Sequence, residues 1–156
     1  MPHAVEHSLI ALGLTLPEAP KPVAAYVPCV RSGNQLVVSG QLPFRNSQLL
    51  DTGHLPGAMS MEKAQAAAAQ CALNALAIVK AELHGDWTKF VRVVRIGVFV
   101  ASDANYYDQP KVANGASELL VKIFGEAGKH ARAAVGVSAL PLNAVVEVEM
   151  TVEIQA

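Results

Sequence analysis

The sequence lacks the patterns that identify most metal- and cofactor-dependent proteins. Its two cysteines, Cys29 and Cys71, are far apart and form no CxxC pair, so no disulfide framework or cysteine zinc site is indicated. A glycine-rich phosphate loop, a dinucleotide fingerprint and a GxSxG elbow are also missing. We therefore expect no metal and no organic cofactor, and we interpret Cys29 as a small buried residue rather than a nucleophile.

Charge is also scarce, because Asp, Glu, Lys and Arg make up only 16% of the chain, where about 25% is usual for a soluble domain. The formal net charge is -1 and no dense basic stripe is present, so we do not expect a nucleic-acid partner. No apolar run is long enough to span a bilayer, and no secretory pattern opens the sequence. We expect a protein that is cytoplasmic and has no membrane partner.

The sequence is unusually rich in hydrophobic residues. Hydrophobic residues make up 52% of 156 residues, a length that fits one domain with its own core. A lone subunit of this size would leave much of its apolar surface in water. We predict a single domain over residues 1–156, with an interface to other subunits.

Periodicity divides the chain into recognisable elements. Residues 1–21 predict a short helix and a proline-rich lead-in, and "RSGN" predicts the turn of a hairpin. Long helices are predicted after Ser60 and near Asp108, and between them the apolar run "FVRVVRIGVFVAS" predicts a strand covered on both faces. The segments "ARAAVGVSAL" and "AVVEVEMTVEIQ" predict two final strands. This order indicates an α+β fold, a mixed sheet with two helices on one face.

Arg132 is the first candidate for chemistry. On a strand it heads a row of very small side chains, Ala134, Gly136 and Ser138. A guanidinium binds a carboxylate bidentately, so this row predicts a pocket for a small anion. The alternative is a surface arginine at a strand start. His130, two residues earlier, is either a second cation or an ordinary turn histidine.

Glu147 is the second candidate, at the head of an acidic row on the last strand. If this strand pairs with that of Arg132, the carboxylate faces the guanidinium or holds a water near it. Strict alternation also predicts a plain solvated face. Arg95, among valines, should have a structural carboxylate partner if it is buried.

Several separated pieces of the chain together resemble one family. They are Tyr26 thirteen residues before Ser39, "VSGQLP", "VVRIGVFV", "ARAAVGVSALP" and "VVEVEM". In combination they are similar to the Rid family, also called YjgF or L-PSP endoribonuclease-like, and they cover the chain from about Pro22 to its end. Ala134, where the deaminase branch often has cysteine, and "AAYVPCV" in place of a "GPYSQA"-like start indicate a divergent branch.

The resemblance implies a chorismate-mutase-like fold assembled as a homotrimer with a cleft at each subunit interface. It implies that Arg132 binds a substrate carboxylate and that Glu147 positions or activates a water. Tyr26, Ser39, Gly40 and Ala134 would line the pocket, with Ser39 and Gly40 contributed by the subunit next to that of Arg132.

The activity implied by the resemblance is hydrolysis of reactive enamine or imine intermediates, 2-imino acids, to 2-keto acids and ammonia. A trimer that only binds a small carboxylate or metabolite as a sensor is the alternative. The ribonuclease activity in the family's older name has little support from the near-neutral charge.

Overall fold

The computed structural model describes residues 2–21 and 25–156. Its helices are α1 (Pro2–Ala11), α2 (Met61–Glu82) and α3 (Gln109–Phe124). Its strands are β1 (Cys29–Ser32), β2 (Gln35–Gln41), β3 (Phe44–Arg45), β4 (Gln48–Leu49), β5 (Phe90–Ala101), β6 (Ala131–Val137) and β7 (Val146–Ile154). No helix within these residues is long and apolar enough to cross a membrane.

The predicted α+β fold is confirmed. β1, β2, β7, β5 and β6 form one sheet in that order, and β5 runs parallel to β6 while the other pairs are antiparallel. α2 and α3 pack on one face of this mixed sheet. β3 and β4 form a separate small hairpin in the loop after β2.

Helix α2 follows from its composition. It begins at the predicted cap, Ser60, whose hydroxyl accepts a hydrogen bond from the Lys63 amide at 3.3 Å. Ala64, Ala67 and Ala68 are fully buried, and side chains this small let the helix axis lie close to the sheet. Close packing of α2 fixes the face of the sheet that is covered.

Helix α3 also begins where the sequence predicts, near Asp108. Asp108 precedes its first turn, Pro110 is in that turn and Gly125 follows the last residue. Its buried residues are Val112, Ala113, Ala116, Leu119, Leu120 and Ile123. This apolar stripe holds α3 against α2 and against the β5–β6 side of the sheet.

The opposite face of the sheet is open in the single chain. Residues of β7 alternate between buried and half-buried, and Val37 and Val135, on β2 and β6, are 43% and 45% exposed on the uncovered side. The prediction that β5 is covered on both faces is therefore wrong for the isolated chain, in which Arg95 of β5 is exposed. The excess apolar surface inferred from composition is located here.

Strands β6 and β7 do not pair, which corrects the arrangement considered from the sequence. β5 lies between them, so Arg132 lies beside Ile96 of β5, while Glu147 lies opposite Phe99 of the same strand. Ile96 is buried towards the helices, and Phe99, three residues later, projects from the other face. Arg132 and Glu147 therefore project from opposite faces of the sheet.

Helices α2 and α3 approach each other closely at Gly115 of α3. A Cβ added there would lie 2.7 Å from the backbone carbonyl carbon of Gln65 in α2, a separation that side-chain movement cannot relieve. The two helix axes can be this close only with glycine at the crossing.

We predict that Gly115→Ala lowers the free energy of unfolding by about 1–2 kcal/mol, because the clash outweighs the helix propensity gained by alanine. Urea unfolding followed by circular dichroism measures this change. Gly57→Ala is the control, since nothing lies within 4 Å of a Cβ at Gly57. Equal stability of the two variants would contradict the close approach.

Candidate functional site

Four of the predicted site residues line one groove. Tyr26, Ser39, Gly40 and Glu147 surround a cavity of about 610 Å³ at the β2–β7 side of the sheet. The remaining lining residues are Pro20, Gln41, Leu42, Phe44 and Pro141. The groove has room for a small organic acid, and it presents one ionisable carboxyl group, that of Glu147.

A break in strand pairing shapes the groove. The register between β2 and β7 shifts between Val38 and Gln41, so Ser39 and Gly40 leave the regular ladder. The Ser39 hydroxyl donates a hydrogen bond to the carbonyl of Val27 at 2.8 Å. The Gln41 amide donates to the Ser39 carbonyl at 3.0 Å. These bonds hold the irregular backbone in one shape beside the carboxyl group.

Gly40 is needed because the Glu147 side chain lies against its backbone. A Cβ at Gly40 would lie 2.9 Å from Cδ and 3.1 Å from Cγ of Glu147, which is closer than van der Waals contact. The absence of a side chain at Gly40 therefore creates the space that the carboxyl group occupies.

The environment of Glu147 favours its protonated form relative to a free carboxyl group. Burial raises the pKa of Glu147, and the nearby Glu149 carboxylate raises it further. Because Glu147 stays half-buried beside the open groove, it is placed to exchange a proton with a small molecule there.

A polar network fixes the part of the groove wall that Leu42 and Phe44 form. Asn74 of α2 donates hydrogen bonds to the carbonyls of Leu42 and Phe44 at 2.9 and 3.0 Å. Its own carbonyl accepts from Gln70 at 2.9 Å, and Gln70 accepts from Arg45 at 3.1 Å. Both α2 residues are buried, so the loop after β2 is tied firmly to helix α2.

Sequence reasoning missed the lead-in as part of the site. Pro20 lines the groove and also a neighbouring cavity of about 460 Å³, which is bordered by Glu18 and Asn74. Leu14 and Leu16 pack against the core and anchor this segment. No local sequence signal connects a proline before β1 with a glutamate in the last strand, so only the tertiary contacts bring Pro20 to the site.

Arg132 lies at the other edge of the sheet and does not line the groove. Its Nη1 donates hydrogen bonds to Asn114 Oδ1 at 2.9 Å and to Ser117 Oγ at 3.1 Å, both on α3. Ala134, next on the same face of β6, packs partly against the core. Within one chain, the groove and the Arg132 side chain are therefore distant from each other and form no common site.

The row of small residues after Arg132 is partly filled by α3. A Cβ at Gly136 would lie 2.7 Å from Gln109 Nε2 and 2.8 Å from Ser102 Oγ. Gly136 therefore leaves room for Gln109, the first residue of α3, and for Ser102, the residue after β5. This gives a structural reason for the row that the sequence did not reveal.

Arg95 and Cys29, which the sequence analysis also considered, have environments that fit a structural rather than a catalytic role. Arg95 does have a carboxylate partner, Glu149, with Nη1 and Oε1 2.9 Å apart, although both side chains are exposed. Burial, and secondly the charge of Glu82, raises the pKa of Cys29 to about 11. Its thiol is therefore protonated at neutral pH, as expected of a residue that is not a nucleophile.

The fold and groove define a class of α+β proteins with a mixed sheet, two covering helices and an acidic groove at one side. Residues 6–154 match the family described as "YjgF/chorismate_mutase-like, putative endoribonuclease". The chain belongs to this family, which confirms the resemblance found in the sequence.

Three relatives illustrate the similarity. Protein TCP17 of Trypanosoma cruzi is 46% identical, covering 96% of this chain and 94% of its own length. A 2-iminobutanoate/2-iminopropanoate deaminase of Dermatophagoides farinae is 30% identical, with coverages of 91% and 95%. The crystal structure of Atu1372 from Agrobacterium tumefaciens, of unknown function, is 47% identical with a TM-score of 0.93, covering 99% of this chain and 94% of that one.

We predict that Gly40→Ala displaces the Glu147 carboxyl group from the groove, because the new methyl group would occupy its place. A crystal structure of the variant measures the displacement. Gly97→Ala is the matched control: a Cβ there meets Glu149, with its Cγ at 2.8 Å, and should leave Glu147 in place. An unmoved Glu147 in Gly40→Ala would contradict the assigned contact.

Proposed function

We propose that this protein hydrolyses 2-imino acids to 2-keto acids and ammonia, at clefts between the subunits of a homotrimer. The observation that carries the proposal is the separation of two complementary parts. One side of the chain has a groove with a half-buried carboxyl group, Glu147, and the other edge has an exposed guanidinium, Arg132.

A neighbouring copy of the chain can bring these two parts together. Contact between the groove side of one subunit and the β6 edge of the next joins two different surfaces, and such head-to-tail contacts form a ring when the rotation between subunits closes, as in a trimer. Exposed valines on the open face, such as Val37 and Val135, would be covered by the same assembly. The proposed site therefore takes Glu147 from one subunit and Arg132 from its neighbour.

The reaction needs little beyond placement and proton transfer. Water attacks the electrophilic imine carbon and forms a carbinolamine, in which carbon holds both oxygen and nitrogen. The C–N bond then breaks, the nitrogen leaves as ammonia with the added protons, and the C–O bond becomes the carbonyl of the keto acid. A group that first accepts a proton from water and then returns it to nitrogen serves both steps.

Glu147 is proposed for this proton transfer. Its raised pKa makes the carboxylate a better base than an ordinary glutamate and makes its protonated form accessible nearer to neutral pH. Arg132 is proposed to bind the substrate carboxylate, and Tyr26, Ser39, Gly40 and the neighbour's Ala134 to enclose the remaining atoms. Holding water and imine together supplies much of the expected rate enhancement.

The names of the relatives and of the family point to two different activities, of which one supports this proposal. The relative from Dermatophagoides farinae, 30% identical, is named as a deaminase of 2-iminobutanoate and 2-iminopropanoate. The family description also carries the word endoribonuclease. An acidic row on the open face, Glu147, Glu149 and Glu153, and the net charge of -1 do not favour binding of an RNA backbone.

We expect the wild-type protein to accelerate release of 2-oxobutanoate from 2-iminobutanoate generated in situ by an amino-acid oxidase. Arg132→Ala should raise KM strongly, because the carboxylate loses its cation, and Glu147→Gln should reduce kcat by about 100-fold or more, the range for lost acid–base catalysis. Keto-acid formation is followed with a coupled dehydrogenase.

The controls for this experiment are Lys122→Ala and Glu62→Gln, which change exposed charges of α3 and α2. They should retain wild-type rates. Wild-type rates equal to those in buffer across several imines would contradict the proposed hydrolysis. Carboxylate binding that persists in Glu147→Gln and disappears in Arg132→Ala would then favour the sensor.

A further inference from the structure

The guanidinium of Arg132 is held in one orientation by a single nitrogen. Nη1 donates both of its hydrogens, to Asn114 Oδ1 and Ser117 Oγ. Within the described residues, Nε and Nη2 of Arg132 have no hydrogen-bond partner in the protein. The edge formed by Nε and Nη2 is one of the two-donor edges with which arginine binds a carboxylate. It is therefore the edge that the structure leaves available.

The bond from Arg132 to Ser117 is part of a longer chain of hydrogen bonds. Ser117 Oγ lies 2.9 Å from Nε2 of His130, and Nδ1 of His130 lies 2.6 Å from the carbonyl oxygen of Gly128. A carbonyl can only accept, so Nδ1 carries a proton. In the neutral ring Nε2 then accepts the Ser117 hydroxyl proton, which leaves the lone pairs of Oγ facing Arg132.

The ring of His130 is suited to remain neutral. It is half-buried, and burial lowers its pKa, to which the charge of Arg132 contributes further. The hydrogen bond to Gly128 acts in the opposite direction without reversing the shift. His130 is therefore an acceptor for Ser117 at neutral pH, and not the second cation considered from the sequence.

We propose that Ser117 and His130 are positioning residues for the carboxylate-binding arginine: His130 orients the Ser117 hydroxyl, and Ser117 together with Asn114 fixes Nη1 of Arg132. The Nε–Nη2 edge then faces away from α3 before a substrate arrives. That the bound group is a substrate carboxylate rests on the function proposed above, whereas the orientation itself does not.

The physical gain is preorganisation. An exposed arginine has many rotamers, and holding one of them on binding costs free energy. Here two residues on adjacent turns of α3 and a histidine just before β6 hold the guanidinium in the free protein. Removing the chain of bonds should weaken carboxylate binding while leaving the proton transfer at Glu147 unchanged.

Kinetics of single variants test the proposal. Ser117→Ala should raise KM for 2-iminobutanoate by about 3–10-fold, the effect of losing one ordinary hydrogen bond, with kcat within about twofold of wild type. Ser117→Thr, which keeps the hydroxyl, should restore most of the loss. Lys122→Ala on the same helix is the control and should match wild type.

His130 is tested in the same way. His130→Phe removes both ring nitrogens and should raise KM like Ser117→Ala, whereas His130→Gln keeps an acceptor that can reach Ser117 and should be closer to wild type. The double variant of Ser117→Ala and His130→Phe should have a KM no higher than that of the poorer single variant, because both substitutions break the same series of hydrogen bonds. Additive losses, or a fall in kcat with unchanged KM, would overturn the proposal.

Nuclear magnetic resonance gives a readout that needs no enzymatic activity. Nitrogen-15 shifts of His130 should report a neutral ring with its proton on Nδ1. The Nη resonances of Arg132, identified by their loss in Arg132→Lys, should show hindered rotation that Ser117→Ala relieves and Lys122→Ala does not. A proton on Nε2, or a freely rotating guanidinium in wild type, would refute the positioning role even if hydrolysis is observed.

If no imine is hydrolysed, these spectra still decide the orientation, and titration with 2-oxobutanoate replaces the kinetic arm. Its dissociation constant should rise about 3–10-fold in Ser117→Ala, by the same lost bond. An unchanged dissociation constant would overturn the proposal. Failure of the function and failure of the positioning role are thus seen in different measurements.

Discussion

Strand β5 lies between the strands that carry Arg132 and Glu147, and this placement determines what a single chain can do. Because side chains alternate along each strand, the register through β5 directs Arg132 towards the helices and Glu147 towards the open face. Neither residue can approach the other without taking the sheet apart. The groove around Glu147 therefore needs a cation from elsewhere if it is to bind a carboxylate, and the same sequence contains one on its opposite edge.

Much of the fold could be predicted from local patterns. The cap at Ser60, the start near Asp108 and the strict alternation of the last strand are short-range signals, and each appears at the predicted place. The pairing of β6 and β7 could not be decided in this way, because strand order depends on contacts distant in sequence. The prediction of a strand covered on both faces used apolar content alone, which does not distinguish a helix from another subunit as the covering partner.

The candidate site also has residues that the sequence could identify and residues that only the tertiary structure reveals. Glu147 was nominated by its place in the last strand, Tyr26, Ser39 and Gly40 only by the family resemblance, and the structure places all four around one groove. Asn74, which holds the loop after β2, and Ser117, which holds Arg132, carry no recognisable motif, since a buried amide or a helical serine occurs in many proteins without such a role. Their function follows from distances: bonds of 2.9–3.1 Å tie the groove wall to α2 and the arginine to α3.

The central claim is that each site takes Arg132 and Glu147 from different subunits, and mixing inactive variants tests it most directly. Arg132→Ala and Glu147→Gln proteins would be unfolded together, refolded as one population and assayed for 2-iminobutanoate hydrolysis beside each variant refolded alone. Random assembly of a ring should give about a quarter of the interfaces both intact residues, so activity should return to about that fraction of wild type. A mixture no more active than its components, with mixed oligomers confirmed by mass spectrometry, would contradict the account.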